Sequence, residues 1–321
     1  MKKTKITGKL LTVGAGAFIL FSSILASCSK SDDNPGGGNG TANTTFKVTD
    51  APIDDVNVTG AFVTIADIKL NGQSVSGFTK TTINLAAYQN GATQSIGNFN
   101  LAAGTYNSVT FVLDFNSDAS GNTPGSYVMT TGGVKHKLQS TTNVITVNKT
   151  LALVASGTNE VVADFDLRKM IVHTPGADHY DFATGAELQN DVRVTVENNK
   201  IMGTLTDNTV GGAGKVVVYA YKKGTFNRAT ELSGQGASSV QFANAVTSAS
   251  VAAGGSYQLH FLEAGAYELY FASYKDTNAD GEYELKGTLV VTAAGGLDLL
   301  NLSLAANATL TANVTATAVL P

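Results

Sequence analysis

The chain has 321 residues, enough for about two domains at ~150 residues each. It is 43% hydrophobic and only 14% charged, which excludes a disordered polyelectrolyte, and its 34 Gly and 5 Pro follow no third-residue period, which excludes collagen. A formal charge of −4 with no basic stripe leaves no footprint for nucleic acid.

Residues 1–27 read as a signal peptide. Lys2, Lys3, Lys5 and Lys9 form a basic start, Leu10 to Leu25 carry no charge, and the small residues Ala26 and Ser27 follow. The apolar run is shorter than the ~20 residues that span a bilayer and contains Gly14 and Gly16, so cleavage is expected rather than a retained membrane helix. Next comes Cys28, the only cysteine. Leu25-Ala26-Ser27-Cys28 resembles the lipobox of bacterial lipoproteins. That resemblance implies acylation of Cys28, palmitate included, and membrane attachment by more than one chain, as stable anchoring requires. An acylated Cys28 leaves no free thiol, which excludes disulfides, thiolate metal sites and a cysteine nucleophile. Without the four signal lysines the mature chain has 17 basic and 25 acidic side chains, a net charge of −8.

Residues 28–43 form a polar, Gly-rich tether. Lys30, Asp32 and Asp33 resemble the export tag of Bacteroidetes-type lipoproteins, which implies an outer-membrane lipoprotein exposed at the cell surface; an ordinary solvated linker is the alternative. Period-two patterning dominates the remainder. The runs Phe62 to Leu70, Val109 to Phe115 and Val192 to Glu197 read as strands, as do Val216 to Tyr221, Tyr257 to Phe261, Tyr267 to Tyr274, Glu284 to Val291 and Leu310 to Val319. Only Leu85 to Tyr88 and Asp166 to Ile171 suggest helical turns. The expected fold is all-β, two β-sandwich domains behind the signal peptide and tether.

Asn198-Asn199-Lys200 reads as a polar turn, so the boundary is expected near Asn199, giving domains 44–199 and 200–321 that each fold as a unit. An internal echo links them. Leu101 to Tyr106 and Leu262 to Tyr267 share Leu-x-x-Gly-x-Tyr, and each following strand runs into Asp-x-Asn-x-Asp, at Asp114, Asn116, Asp118 and at Asp276, Asn278, Asp280. Common descent and recurrent turn physics both account for it.

Thr49-Asp50-Ala51-Pro52, Val56 to Thr59, Val63 to Leu70, Asn84-Leu85, Leu101 to Tyr106, Asp164-Phe165-Asp166 with Arg168-Lys169, and Val192-Arg193-Val194 together resemble the bacterial family called domain of unknown function 4382. The resemblance covers about Thr44 to Glu197 and departs at Leu188-Gln189-Asn190-Asp191, where the family tends to have Leu-Lys-Pro. It implies an exported β domain and assigns no reaction. Ile201 to Pro321 more loosely resemble the transthyretin-like domains found beside carboxypeptidases, through Val216 to Tyr221, Gly255-Ser256-Tyr257 and Ala264 to Tyr267. That implies a non-catalytic spacer.

Catalytic patterns are scarce. No Gly-x-Ser-x-Gly elbow, His-Glu-x-x-His pair or Walker loop occurs, and Gly211 to Lys215 reads as a turn. His173 and His179, with Asp178 and Asp181, suggest either a metal site or a solvated loop. Asp164 with Asp166, or Asp54 with Asp55, are acid pairs whose separation decides any glycosidic chemistry. The clearest chemical pattern is a candidate Ca2+ loop. Asp276, Asn278 and Asp280 occupy positions one, three and five, Gly281 the sharp turn at six, and Glu282 the carbonyl position at seven. Position twelve is Gly287 in place of the bidentate Glu, so Glu284 at nine has to supply the last carboxylate; an Asx-rich hairpin turn is the alternative.

The leading functional expectation is a lipid-anchored, cell-surface or periplasm-facing, non-enzymatic binding or adhesion module for a glycan, peptide or protein, attached to the membrane through Cys28. A structural or assembly subunit of a fimbria-like stalk is the alternative, with Leu310 to Val319 as donor strand or ordinary closing strand. A hydrolase comes third.

Overall fold

The computed structural model describes residues 40–51, 57–173, 179–209, 212, 214–277 and 283–321. Cys28, Pro52, Asp54, Asp55, Asp178, Asn278, Asp280, Gly281 and Glu282 lie outside the described residues. The fold is all-β, as the alternating patterns require.

In the first lobe, the strands from Thr41 to Thr195 form two main sheets. The four-stranded sheet runs Val192–Thr195, Thr158–Asp166, Thr41–Ala51, Gln94–Ala102, with the middle two parallel. The seven-stranded sheet is built on Val58–Leu70, which pairs Gly104–Leu113; Val144–Leu153 lies outside the latter. Phe46, Val48 and Phe165 of the first sheet and Ile65, Ile68 and Phe111 of the second are fully buried in one core. Phe111 and Phe165 meet edge to face at 5.4 Å, a favourable aromatic geometry.

The first strand, Thr41–Ala51, is not among those expected, and it begins inside the expected tether. Thr41 to Asn43, read from sequence as the end of the tether, pair with Ala102 to Asn100. Ala42 is buried in step with Thr44, Phe46 and Val48, so the period-two face already begins there.

From Asn199 to Leu320 the strands form a nine-stranded sheet in a second lobe. Lys215–Lys222 is buried on both faces, which explains its unbroken apolar run. Val216, Val218 and Ala220 join Leu259, Phe271 and Val314 in one core; Val217, Tyr219 and Tyr221 join Phe242 and Tyr274 in another.

Asn199 is not in a turn. It opens the strand Asn199–Asp207 and is fully buried, with Nδ2 donating to the Leu262 carbonyl at 2.9 Å and Oδ1 accepting from the Ala308 N–H at 3.2 Å. The single strand expected over Leu310 to Val319 is two, Thr309–Thr311 and Val314–Leu320. The latter pairs Glu284–Ala293 on one side and Asn199–Asp207 on the other, so it closes a sheet from within.

The Leu-x-x-Gly-x-Tyr echo has a common geometry. Gly104 and Gly265 each start a strand at φ of 149° and 152°. The Tyr106 hydroxyl donates to the Ala102 carbonyl and the Tyr267 hydroxyl to the Glu263 carbonyl, each at 2.9 Å. Each tyrosine thereby ties its strand to the corner before it.

The expected helical turns appear at Leu85–Ala87 and Leu167–Met170. A third, Gly185–Leu188, carries a capping box between Thr184 and Glu187, which a Thr-x-x-Glu spacing encodes.

Candidate functional site

Where Gly104–Leu113 ends, the chain turns at Asp114 beside the segment Ser140 to Asn143, and a cleft of about 540 Å³ opens between them. Ala66, Val112 and Leu113 give it an apolar side; Phe115, Asn116, Thr141 and Asn143 line the remainder with Asp114. The turn is fixed by the Asp114 carboxylate. Oδ1 accepts from the Asn116 and Ser117 N–H groups at 2.8 and 3.0 Å, and Oδ2 accepts from Lys80 Nζ at 2.7 Å. Burial works against ionisation of Asp114, but the Lys80 ammonium and these N–H donors hold its carboxyl well below the usual range.

The opposite wall is braced too. Leu113 N–H donates to the Asn143 carbonyl at 2.7 Å, and Asn143 Nδ2 returns a bond to the Leu113 carbonyl at 3.0 Å. Ser140 Oγ donates to the Ala183 carbonyl at 2.8 Å.

A second concentration of chemistry is buried where the lobes meet. Arg168 and Lys169, on the Leu167–Met170 turn, and Arg193, on the strand Val192–Thr195, all belong to the first lobe and all reach carbonyl oxygens of the second. Arg168 donates to Gln241 and Phe242 at 2.5 and 3.1 Å, Lys169 to Ala245 at 2.7 Å, and Arg193 to His260 at 3.1 Å and to Phe261. Phe261 has a φ of 55°, an uncommon conformation for an aromatic residue, and Arg193 grips the carbonyls on either side of it.

Each cation also has a carboxylate at home. Arg193 pairs with Asp164 at 2.6 Å, and Asp166 with Lys169 at 3.2 Å and Arg168 at 3.5 Å. Asp164 and Asp166, read from sequence as an acid pair, are therefore ion-paired and buried. One oxygen each of Asp164, Asp166 and Asp191 has no hydrogen-bond partner among the described residues, and all three residues line a cavity of about 180 Å³.

Burial raises Asp50 well above its ordinary value, with repulsion from Asp164 and Asp166 adding to it. Burial also raises Asp164 despite Arg193, and it raises Asp191 to about 7. Asp166 goes the other way, because Arg168 and Lys169 together outweigh its burial.

Further bonds cross the same junction. Glu187 accepts from the Ser238 N–H and hydroxyl at 3.1 and 2.5 Å; against the cost of burial, Ser238 and Thr184 hold its carboxyl at about 2. Lys149 pairs with Glu263, and Glu197 accepts from the Ala264 N–H at 2.7 Å. The sequence shows the charged residues of this junction but not their partners across it, because most of the acceptors are main-chain carbonyls.

Of the candidate calcium ligands, Asp276 and Glu284 are described and Asn278, Asp280 and Glu282 are not. Glu284 Oε2 accepts from the Thr277 N–H and hydroxyl at 2.9 and 2.7 Å. Position twelve is glycine for a packing reason: at φ of 136°, a Cβ on Gly287 would lie 1.8 Å from the Leu320 carbonyl oxygen. His173 stacks on Tyr180 at 4.3 Å while the exposed His179 bonds Asp181 at 2.7 Å. Among the described residues no group of three His, Cys, Asp or Glu is placed to hold a metal ion, and no helix is long and apolar enough to cross a membrane.

Fold and cleft together define an all-β, two-lobed chain with an open polar cleft at one end of a sheet. Residues 41–183 match a family model described as "Domain of unknown function (DUF4382)", starting at the first strand and taking in the cleft. No curated protein matches the chain. Among solved structures it is similar to the Bacillus anthracis TIE protein, at 10% identity over 86% of this chain and 34% of that one, TM-score 0.20. It is also similar to a streptococcal ancillary pilin, at 9% identity over 86% and 69% of the two chains, TM-score 0.21. A putative cell adhesion protein from Parabacteroides distasonis is a third, at 10% identity over 87% and 99%, TM-score 0.22. The chain spans about a third of the length of the first of these, 34%.

Proposed function

We propose that this chain is a lipid-anchored, non-enzymatic binding protein, held at the outer membrane by acyl chains on Cys28 and displayed at the cell surface. The cleft beside Asp114 carries the binding part of this reading. It is braced on both walls by hydrogen bonds among its own residues, and its one carboxylate is already matched by Lys80. A preformed polar cleft of about 540 Å³ suits a small ligand or the end of a polymer.

The anchor rests on Cys28 standing directly after Leu25-Ala26-Ser27, and the surface location on Lys30, Asp32 and Asp33 behind it. Metabolic labelling with palmitate is expected to mark the wild-type chain and to be abolished in Cys28→Ala; labelling retained by that variant would refute the anchor. Protease added to intact cells is expected to digest the chain, and protection until the outer membrane is opened would place it on the inner side.

A further inference from the structure

We propose that the cleft beside Asp114 binds neutral carbohydrate, seating a sugar ring against Phe115 and Val112 while Asn116, Thr141 and Asn143 take its hydroxyl groups. This inference rests on the reading of the chain as a binding protein and narrows it to a ligand class.

Charge is the first argument. Asp114 is the only ionisable group in the lining, and both of its oxygens are engaged, one by two backbone N–H groups and one by Lys80. Lys137 ends on Asn116 Oδ1 at 3.0 Å and is itself exposed to water. A cationic ligand entering the cleft gives up hydration for no free carboxylate, and the one ammonium at its rim, Lys137, stays hydrated outside the lining, so a neutral ligand carries the least cost.

The second argument is the set of polar groups left over. Asn116 Nδ2, the Thr141 hydroxyl and Asn143 Oδ1 make no hydrogen bond to another described residue, although each residue lines the cleft. The side chains of Asn116 and Asn143 bond only through the other end of their amides. The cleft thus offers a donor, a group that both donates and accepts, and an acceptor, all uncharged. Ring hydroxyls are both donor and acceptor and can use all three. Beside them Phe115, half-buried and 5.6 Å from Phe182, and Val112 present carbon surface for the C–H face of a ring.

The third argument is that the start of the edge strand beside the cleft is closed to an added peptide strand. Val144–Leu153 is the edge strand that begins at the cleft, and a peptide joining it would need the backbone groups of its first residues. The Gln189 side chain already holds them, accepting from the Thr146 N–H at 2.7 Å and donating to the Val144 carbonyl at 2.5 Å. Gln189 acts as a side-chain cap on that edge.

The test uses the purified full-length chain in detergent. Its probe is a carbohydrate microarray of neutral hexose and pentose oligosaccharides with uronic-acid and sulfated counterparts, followed by calorimetry on the bound sugar. Binding is expected among the neutral sugars. Thr141→Val, an exposed change that breaks no hydrogen bond to another described residue, is expected to weaken it about tenfold at an unchanged melting temperature. Asn143→Ala is expected to weaken it further, because the brace to Leu113 goes with it. Binding confined to the acidic sugars, or untouched by Thr141→Val, overturns the inference. The same preparation on a peptide array separates the two levels: peptide binding without sugar binding overturns the ligand class and leaves a binding protein, while silence on both arrays removes the binding reading as well.

Discussion

Lys169→Met is expected to lower the free energy of unfolding by about 3–5 kcal/mol, seen as an earlier urea midpoint at unchanged slope. Methionine keeps most of the stem volume and removes the charge, so the effect isolates the ammonium. In the native chain that ammonium is donor to the Ala245 carbonyl at 2.7 Å and counter-ion to Asp166 at 3.2 Å, in a place where both side chains are under 10% exposed, at 9% and 8%. Its removal leaves Asp166 with Arg168 alone, at 3.5 Å, and leaves a buried carbonyl without its donor. A buried charge reduced to one distant counter-ion and an unsatisfied acceptor both cost more than a typical deletion.

Two companions decide the cause. Asp166→Asn combined with Lys169→Met is expected to recover part of the loss, because the charge left behind is gone; simple additivity would mean that Lys169 acts through packing. Lys47→Met removes a more exposed pair, Lys47 with Glu160 at 2.6 Å, and is expected to cost no more than about 1 kcal/mol. Equal effects at Lys169 and Lys47 would show that the junction between the lobes carries no particular share of the stability.

What the sequence made readable was what depends on neighbours in the chain. Alternation along Val109 to Leu113 and Val192–Thr195, and the two Leu-x-x-Gly-x-Tyr corners, follow from spacing of two to five residues. The acidic pair Asp164 and Asp166 was visible, and two residues apart on a strand they do share a face. Their role was not visible, because it is set by Arg193 and by carbonyls of Ala245, His260 and Phe261, which any residue type supplies. The cleft was hidden for a similar reason. Asp114 and Asn116 read as one more Asx turn until the fold brings Ser140 to Asn143 beside them.

Between about pH 5 and pH 7, stability is expected to fall by about 2 kcal/mol on account of Asp191 alone, and Asp191→Asn is expected to remove that part of the slope. Burial lifts Asp191 from an ordinary 3.8 to about 7, with Asp166 and Glu187 pushing the same way and Lys169 and Arg168 opposing. Between those two values the folded chain holds a proton that the unfolded chain has released. Stability is therefore complete below the unfolded value and is lost as pH rises toward the folded one. Asp50 and Asp164, both raised, act in the same sense. Asp166, Glu187 and Asp114 are lowered, so their contribution is present above the ordinary carboxylate range and is lost only in stronger acid; they shape the acid limb. His260 opposes Asp191 inside the window, since burial and Lys200 hold it below 6.5 and its contribution is lost as pH falls. The difference between wild type and Asp191→Asn cancels the His260 contribution. Asparagine matches the shape of the protonated acid, so the two chains are expected to be alike below about pH 3.8, and the variant to be the more stable at pH 5 and by about a further 2 kcal/mol near pH 7. Parallel profiles from urea melts would mean that Asp191 is already ionised at pH 5, held there by Lys169 and Arg168 in spite of its burial.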